Sequence, residues 1–438
     1  LDAGHCMYNL FLNSLGYGAV PYLWTKLRDD PGFFRGRLGF FDAGSPRQGK
    51  PRIWFHAASV GEVTGAIPTC HALKNELPGA AVCLTVGTPQ GFRFARRQLP
   101  LDIHVLPFPL DFPWVLKRTF RVIKPDLYAA FESEFWPNLF HLLKRKGVPA
   151  ILLNGRISDR SAAAYRVLRP FFEPIFRQFQ WLAMHAETDR VNAVSLGAPA
   201  DRTLVLGSSK YDGLSSRVNS ARLDYWREKL RISPHSPAVV GGSLRGMECI
   251  ELLRVFRSLY ALNSEAVGIF VPRHLHRIPA MVEWLQERGI SYHLLSNLEK
   301  GSEERLSPIV LVDRIGILFD LYGLGSLVFC GGTLEPVGGH NILEPAAWKK
   351  PVFYGPYLKK VDHEHRILQA FGGSFPVRDG EDLLDLWKYW IVHLPKLNIH
   401  GENAGRALES LSGAASRHVA LIMNTLPETR YPALTRHA

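Results

Sequence analysis

The chain has 438 residues, more than one ordinary core holds, so two domains are expected. Hydrophobic residues make up 46% and charged residues 21%, which excludes a disordered or fibrous protein. Fifty-two Lys and Arg against 40 Asp and Glu give a net charge of +12, which calls for an anionic partner. No Lys/Arg run or RNA-binding signature singles out nucleic acid, and a nucleotide substrate or an acidic lipid surface fits at least as well. The five cysteines (Cys6, Cys70, Cys83, Cys249, Cys330) are scattered, with no C-x-x-C pair, and read as reduced thiols of a cytosolic protein.

In chain order, Met7 to Trp24 is apolar and nearly uncharged, but two Gly, two Asn and Pro21 weaken it as a spanning helix. Lys26, Arg28, Arg35 and Arg37 follow, a pattern suited to a segment that dips into an anionic leaflet. Residues 1–40 are therefore expected to form a membrane-associated segment. "RIWFHAA" then reads as a buried strand and Gly61 to Leu77 as a helix. "AVCLTVG", "IHVLPF", "PDLYAAF", "AILLNG", "WLAMHA" and "TLVLG" are further short apolar runs, several with helical stretches between them. Runs apolar on both faces and separated by helices predict a parallel sheet covered on both sides, over residues 41–212.

Residues 213–237 are polar, with one amphipathic stretch and Ser/Pro at the ends, and read as a linker. The pattern then restarts with "AVVGGS", a helix from "GMECIELL" onward, and the strands "VGIFVP", "IVLVD", "SLVFCGG" and "PVFYG". Residues 238–438 are expected to form the second doubly wound domain, with a helical tail from Glu381 to Leu426. The class is α/β, and ligands are expected between two such domains, at the carboxyl ends of the strands.

The loops after strands carry the candidate chemistry. "FHAASVGEV" places His56, Ser59, Gly61 and Glu62 together at the mouth of a helix. A strand-to-helix turn calls for a glycine and a capping hydroxyl, so Glu62 stands out. "ESEFWPN" holds Glu132 and Glu134, two apart and so on one side of an extended strand. "NGRISDRS" holds Arg156, and "GSSKYD" holds Lys210. In the second half, Arg273 offers a planar fork for phosphate or carboxylate. The Gly-Gly pairs of "GGTLEPVGGHNILEP" imply a close backbone approach, and Asn341 to Glu344 would open a helix favouring an anion. No D-x-D motif is present. His363 and His365 of "DHEHR" are two apart and would point to different faces of a helix, so no metal or cofactor is expected.

"HAASVGEV", "ESEFWPN", "NGRISDRS", "PRH" and above all "GGTLEPVGGHNILEPAAWKKPVFYGP" resemble the bacterial 3-deoxy-D-manno-octulosonic acid (Kdo) transferases of lipopolysaccharide assembly, from about residue 8 to 425. The resemblance implies the GT-B fold of two facing Rossmann-like domains, at the cytoplasmic face of the inner membrane. It implies inverting, metal-independent transfer of Kdo from CMP-Kdo to a lipid A precursor (lipid IVA). Glu62 matches the family's general base, and Glu132 and Lys210 match positions that stabilise the transition state. Pro272 and Arg273, the segment Gly316, Ile317 and Leu318, and the segment Asn341, Ile342, Leu343 and Glu344 match CMP-binding positions. Ser59, Gly61 and Arg156 are the remaining acceptor-side candidates. The chain departs from the family at Leu244 and Arg245, where a His-bearing loop is usual, and at Ile317, where an acidic residue is usual. Both departures fall on the donor side. They leave open a transferase using another activated sugar, such as a UDP-sugar. A catalytically silent lipid-binding scaffold is the alternative from another class.

Overall fold

The computed structural model describes residues 8–10, 12, 30–41, 49–167, 169–233, 236–301 and 303–426. Most of the expected membrane segment, residues 1–40, lies outside the described residues. The chain divides into two units. The first comprises residues 1–213 and 412–438, and the second residues 214–411.

The first unit is built on a seven-stranded, all-parallel sheet. Its strands are β1 (Arg52–Ala57), β2 (Ala81–Val86), β3 (Ile103–Pro107), β4 (Leu127–Phe131), β5 (Ala150–Gly155), β6 (Phe179–Met184) and β7 (Thr203–Val205), in the order β3-β2-β1-β4-β5-β6-β7. The order reverses beside β1, the switch point at which open α/β sheets bind ligands. Alternation along β1 explains the two covered faces. Ile53, Phe55 and Ala57 enter one core, while Trp54 enters the other with Tyr128 and Phe140.

The tail departs from expectation. The sequence pattern puts residues 238–438 in one domain, but the last helix, Ala414–Thr425, packs on the first unit. Its Val419, Leu421 and Ile422 join the core of Phe55 and Val63, and Asp212 accepts from Ala415 N at 2.7 Å and also from Gly413 N. The reason is coverage: an apolar helix face buries itself wherever a sheet face is uncovered, whatever the distance in sequence.

The second unit has its own seven-stranded parallel sheet. Its strands are β8 (Ala238–Leu244), β9 (Val267–Pro272), β10 (His293–Leu294), β11 (Ile309–Leu311), β12 (Leu327–Cys330), β13 (Val352–Tyr354) and β14 (Ser374–Pro376), in the order β10-β11-β9-β8-β12-β13-β14. The expected linker is partly structured and belongs to this unit. Its helix Ser220–Lys229 buries Trp226, and Arg222 pairs with Asp320 at 2.9 Å. The four cysteines among the described residues are free and buried.

Candidate active site

In the first unit the candidates lie after the carboxyl ends of β1, β4, β5 and β7. Ser59 is the N-cap of helix Val60–Glu76, and Glu62 lies three residues on. The Ser59 hydroxyl accepts from Glu62 N at 3.4 Å and donates to Glu62 Oε1 at 3.1 Å, while Ala58 N donates to Oε2 at 2.6 Å. This is close to a capping box, so Glu62 has a structural use at the helix start as well. The cap also fixes the carboxylate in one place. Burial, then the charges of Glu134 and Glu132, outweigh the Ala58 and Ser59 hydrogen bonds and push its carboxyl up to about 7.

Glu132 follows β4 with φ of +62°, a left-handed conformation rare for a residue with a side chain. The turn breaks the alternation expected for Glu132 and Glu134. The two carboxylates instead take different partners: Glu132 Oε1 pairs with Lys210 Nζ, and Glu134 Oε2 lies 3.0 Å from His56 Nε2. Lys210 is placed by its neighbour Ser209, whose hydroxyl donates to Gly65 O at 2.6 Å and whose N–H donates to Asn154 Oδ1 at 3.1 Å. Asn154 is itself left-handed, with φ of +51°, near the end of β5. Arg156 is exposed, and its carbonyl accepts from the Ser133 hydroxyl at 2.6 Å, tying the loop after β5 to the one after β4. Gly61 is exposed in the first helical turn.

In the second unit, Pro272 ends β9 buried and Arg273 follows it exposed, with Arg273 N donating to Leu244 O at 2.8 Å. Arg245 Nε donates to His340 Nε2 at 2.9 Å. Burial, then the positive charges of Arg245, Arg273 and Lys360, push the His340 ring down to about 4, so it stays neutral and accepts. Cationic side chains from three loops thus act on one spot. Beneath them Glu248, almost fully buried, accepts from Gly332 N (2.6 Å), Thr333 N (2.8 Å), Leu334 N (2.8 Å) and Arg245 N (2.8 Å), locking the glycine-rich loop.

The expectation of an anion-binding helix at Asn341 is corrected. Leu343 is the N-cap of a single turn, Glu344–Ala347, too short to carry a useful macrodipole. Ile342 and Leu343 are fully buried, so their side chains serve the core, and Asn341 Oδ1 accepts from Leu343 N at 3.2 Å. Burial raises the Glu344 carboxyl, opposed by Arg217 and Arg273 and by a hydrogen bond from Asn341. Arg217 lies 3.8 Å from Glu344 Oε1 and 4.1 Å over the Phe319 ring. It thereby joins the 341–344 segment to Phe319, the residue after the 316–318 segment. Gly316 needs its left-handed φ of +98°, and Ile317 is buried as the N-cap of helix Leu318–Tyr322. His365 of the "DHEHR" stretch pairs with Tyr354 OH at 2.8 Å.

The sequence reading missed His340, Lys360, Glu248 and Arg217 as partners. Arg217 sits in the supposed linker, and a glutamate two residues after Gly246 was the one signal for Glu248.

Residues 33–213 match the family model described as 3-Deoxy-D-manno-octulosonic-acid transferase (kdotransferase). A curated 3-deoxy-D-manno-octulosonic acid transferase of Chlamydia pneumoniae is 30% identical over 386 residues, covering 87% of this chain and 87% of that protein. The chain belongs to the 3-deoxy-D-manno-octulosonic acid transferase family. A Kdo transferase of Haemophilus influenzae is 29% identical over 356 residues, covering 80% of this chain and 81% of that one. Among solved structures, Anabaena Alr3699/HepE in complex with UDP superposes with a TM-score of 0.58 at 15% identity, over 86% of this chain and 100% of that one. That likeness carries the fold alone, which is GT-B. As a Kdo transferase family member the chain is a glycosyltransferase.

Proposed function

We propose that this chain transfers Kdo from CMP-Kdo to a hydroxyl of a lipid A precursor, with inversion and without a metal, using Glu62 as the base. The carrying observation is a half-buried carboxylate, fixed at the first turn of a helix by Ala58 N and the Ser59 hydroxyl, in a chain of this family; burial pushes that carboxyl up to about 7. A sugar hydroxyl has a pKa far above 7, so a carboxylate must take its proton as the new bond forms. A midpoint near neutrality makes Glu62 a better base than an exposed glutamate while leaving it ionised at slightly alkaline pH.

Loss of the cytidylate leaves an oxocarbenium-like centre. The Glu132–Lys210 pair supplies a negative and a positive group next to Glu62, suited to that charge separation. On the second unit, Arg245 and Arg273 supply positive potential for the departing phosphate, and neutral His340 orients Arg245. The buried Ile317 offers no carboxylate to a donor hydroxyl, so the sugar acid would be held there by backbone groups.

The lipid side has its own support in the first unit. A cavity of about 430 Å³ is lined by Phe33, Phe40, Phe41, Phe92 and Leu101, with Arg96 at its wall. Leu101 is 88% exposed. Apolar surface beside basic residues suits acyl chains and an anionic leaflet, at the cytoplasmic face of the inner membrane. Among the described residues, no helix is long and apolar enough to cross a membrane.

The test is to incubate the protein with CMP-Kdo and a tetra-acylated lipid A precursor and to weigh the products. A mass gain of one or more Kdo units is expected. Tight UDP binding with no CMP binding, or lipid binding with no transfer, overturns the proposal.

A further inference from the structure

Beside Glu62 lies a largely buried polar network that this scheme does not use. His56 lies near the end of β1, two residues before Ala58, whose N–H holds Glu62 Oε2. The ring is fully buried and stacks on Phe108, with centroids 3.6 Å apart and planes inclined by 18°. Its Nδ1 lies 3.0 Å from the Thr85 carbonyl oxygen, and its Nε2 lies 3.0 Å from Glu134 Oε2. With an oxygen beside each nitrogen, the ring is placed to donate to both the Thr85 carbonyl and Glu134.

Glu134 also accepts from Trp136 Nε1 at 2.7 Å. Burial works against its charge, but the His56 hydrogen bond and charge, Trp136 and the Arg37 guanidinium outweigh it and hold the carboxyl below the usual range. Arg37 comes from the helix Pro31–Arg37 and His56 from β1, so two separate segments, with Trp136 of its own loop, answer this one carboxylate. Burying an ion pair costs several kcal/mol per ion before its partners repay it. A pair maintained at that cost beside a catalytic carboxylate has a use to be sought. The charged groups acting on Glu62 are Glu134 and Glu132. Lys210 answers Glu132, and His56 answers Glu134.

We propose that the His56–Glu134 pair is a positioning element that sets the electrostatic field at Glu62. The carboxylate keeps negative potential on the base, and the imidazole limits it. The idea rests on the reading of Glu62 as the base, and neither residue touches a reacting atom.

The experiment measures kcat/KM against pH for the full chain, for Glu134→Gln and for His56→Asn. Removing the carboxylate moves the acid limb to lower pH. Removing the imidazole leaves Glu134 uncompensated and moves the limb to higher pH. Opposite shifts are the expected result, because a purely structural pair lowers the plateau in both variants and moves neither limb. Unmoved limbs, or shifts of the same sign, overturn the inference. If His56→Asn fails to fold, Glu134→Gln decides alone, being isosteric and partly exposed, and an unmoved limb sinks the idea. Glu62→Gln separates the two claims. If it keeps turnover, the base assignment fails. If it loses turnover while the Glu134→Gln limb stays fixed, only the present inference fails.

Discussion

A Cβ on Gly65 would lie 2.6 Å from Asn154 Nδ2 and 3.3 Å from Lys210 Cγ. The helix that carries Glu62 can therefore approach the lysine that pairs with Glu132 only because position 65 has no side chain. Gly65→Ala should force Asn154 or Lys210 aside, at a cost of roughly 1–3 kcal/mol. Denaturant unfolding should show that loss, together with a fall in kcat larger than the fall in donor affinity.

Glu62→Gln keeps the shape of the cap but removes the base. Turnover should fall by about 10²–10⁴ while CMP binding by calorimetry is unchanged. A variant retaining more than about a tenth of the rate contradicts the role.

The wild-type rate should rise with pH through about 7 and level off above it, because the base acts ionised. Stability should run the other way. The folded carboxyl binds its proton more tightly than the unfolded one, so this group's contribution is full below the ordinary glutamate range and is lost as pH rises through about 7. Thermal melts of wild type and Glu62→Gln should converge at low pH, draw apart as pH rises from the ordinary glutamate range to about 7, and stay apart above it, with the variant higher.

Glu132 pays for its ion pair with a left-handed backbone. Glu132→Gly relieves that strain, so the melting temperature should fall little, if at all, while turnover drops by more than tenfold. A large loss of stability would mean that the Lys210 pair serves mainly to hold the fold.

On the donor side, Arg245→Gln and Arg273→Gln should each weaken CMP binding by about tenfold or more, the range of a hydrogen bond to a charged group. Arg245 stands where the family usually carries a His-bearing loop, so an unchanged CMP affinity in Arg245→Gln would mean that it only buttresses His340.

All seven strands of the first sheet were legible as short apolar runs; β1, β2, β4 and β5 are buried on both faces, and β3, β6 and β7 still keep apolar residues in sequence although they are partly open. In the second sheet, β10 and β14 escaped notice. They are short edge strands whose few residues are polar or partly open, His293–Leu294 and Ser374–Pro376, so no apolar run marks them. Glu62, Glu132 and Lys210 were legible as polar groups in loops after strands and through the family motifs. The separation of Glu132 from Glu134 was not, since a single left-handed residue redirects both side chains without any change in composition.

The sequence by itself determined the two parallel sheets, the loops that carry chemistry and the membership of the transferase family, because burial on two faces and local motifs are written in consecutive residues. Only the tertiary structure decided that the last helix returns to the first unit, that Glu132 meets Lys210 and Glu134 meets His56, and that Arg245 leans on a neutral His340. Those pairings join residues 78 positions apart or more. Contacts over such distances follow from the packing of whole elements, and no local pattern records them.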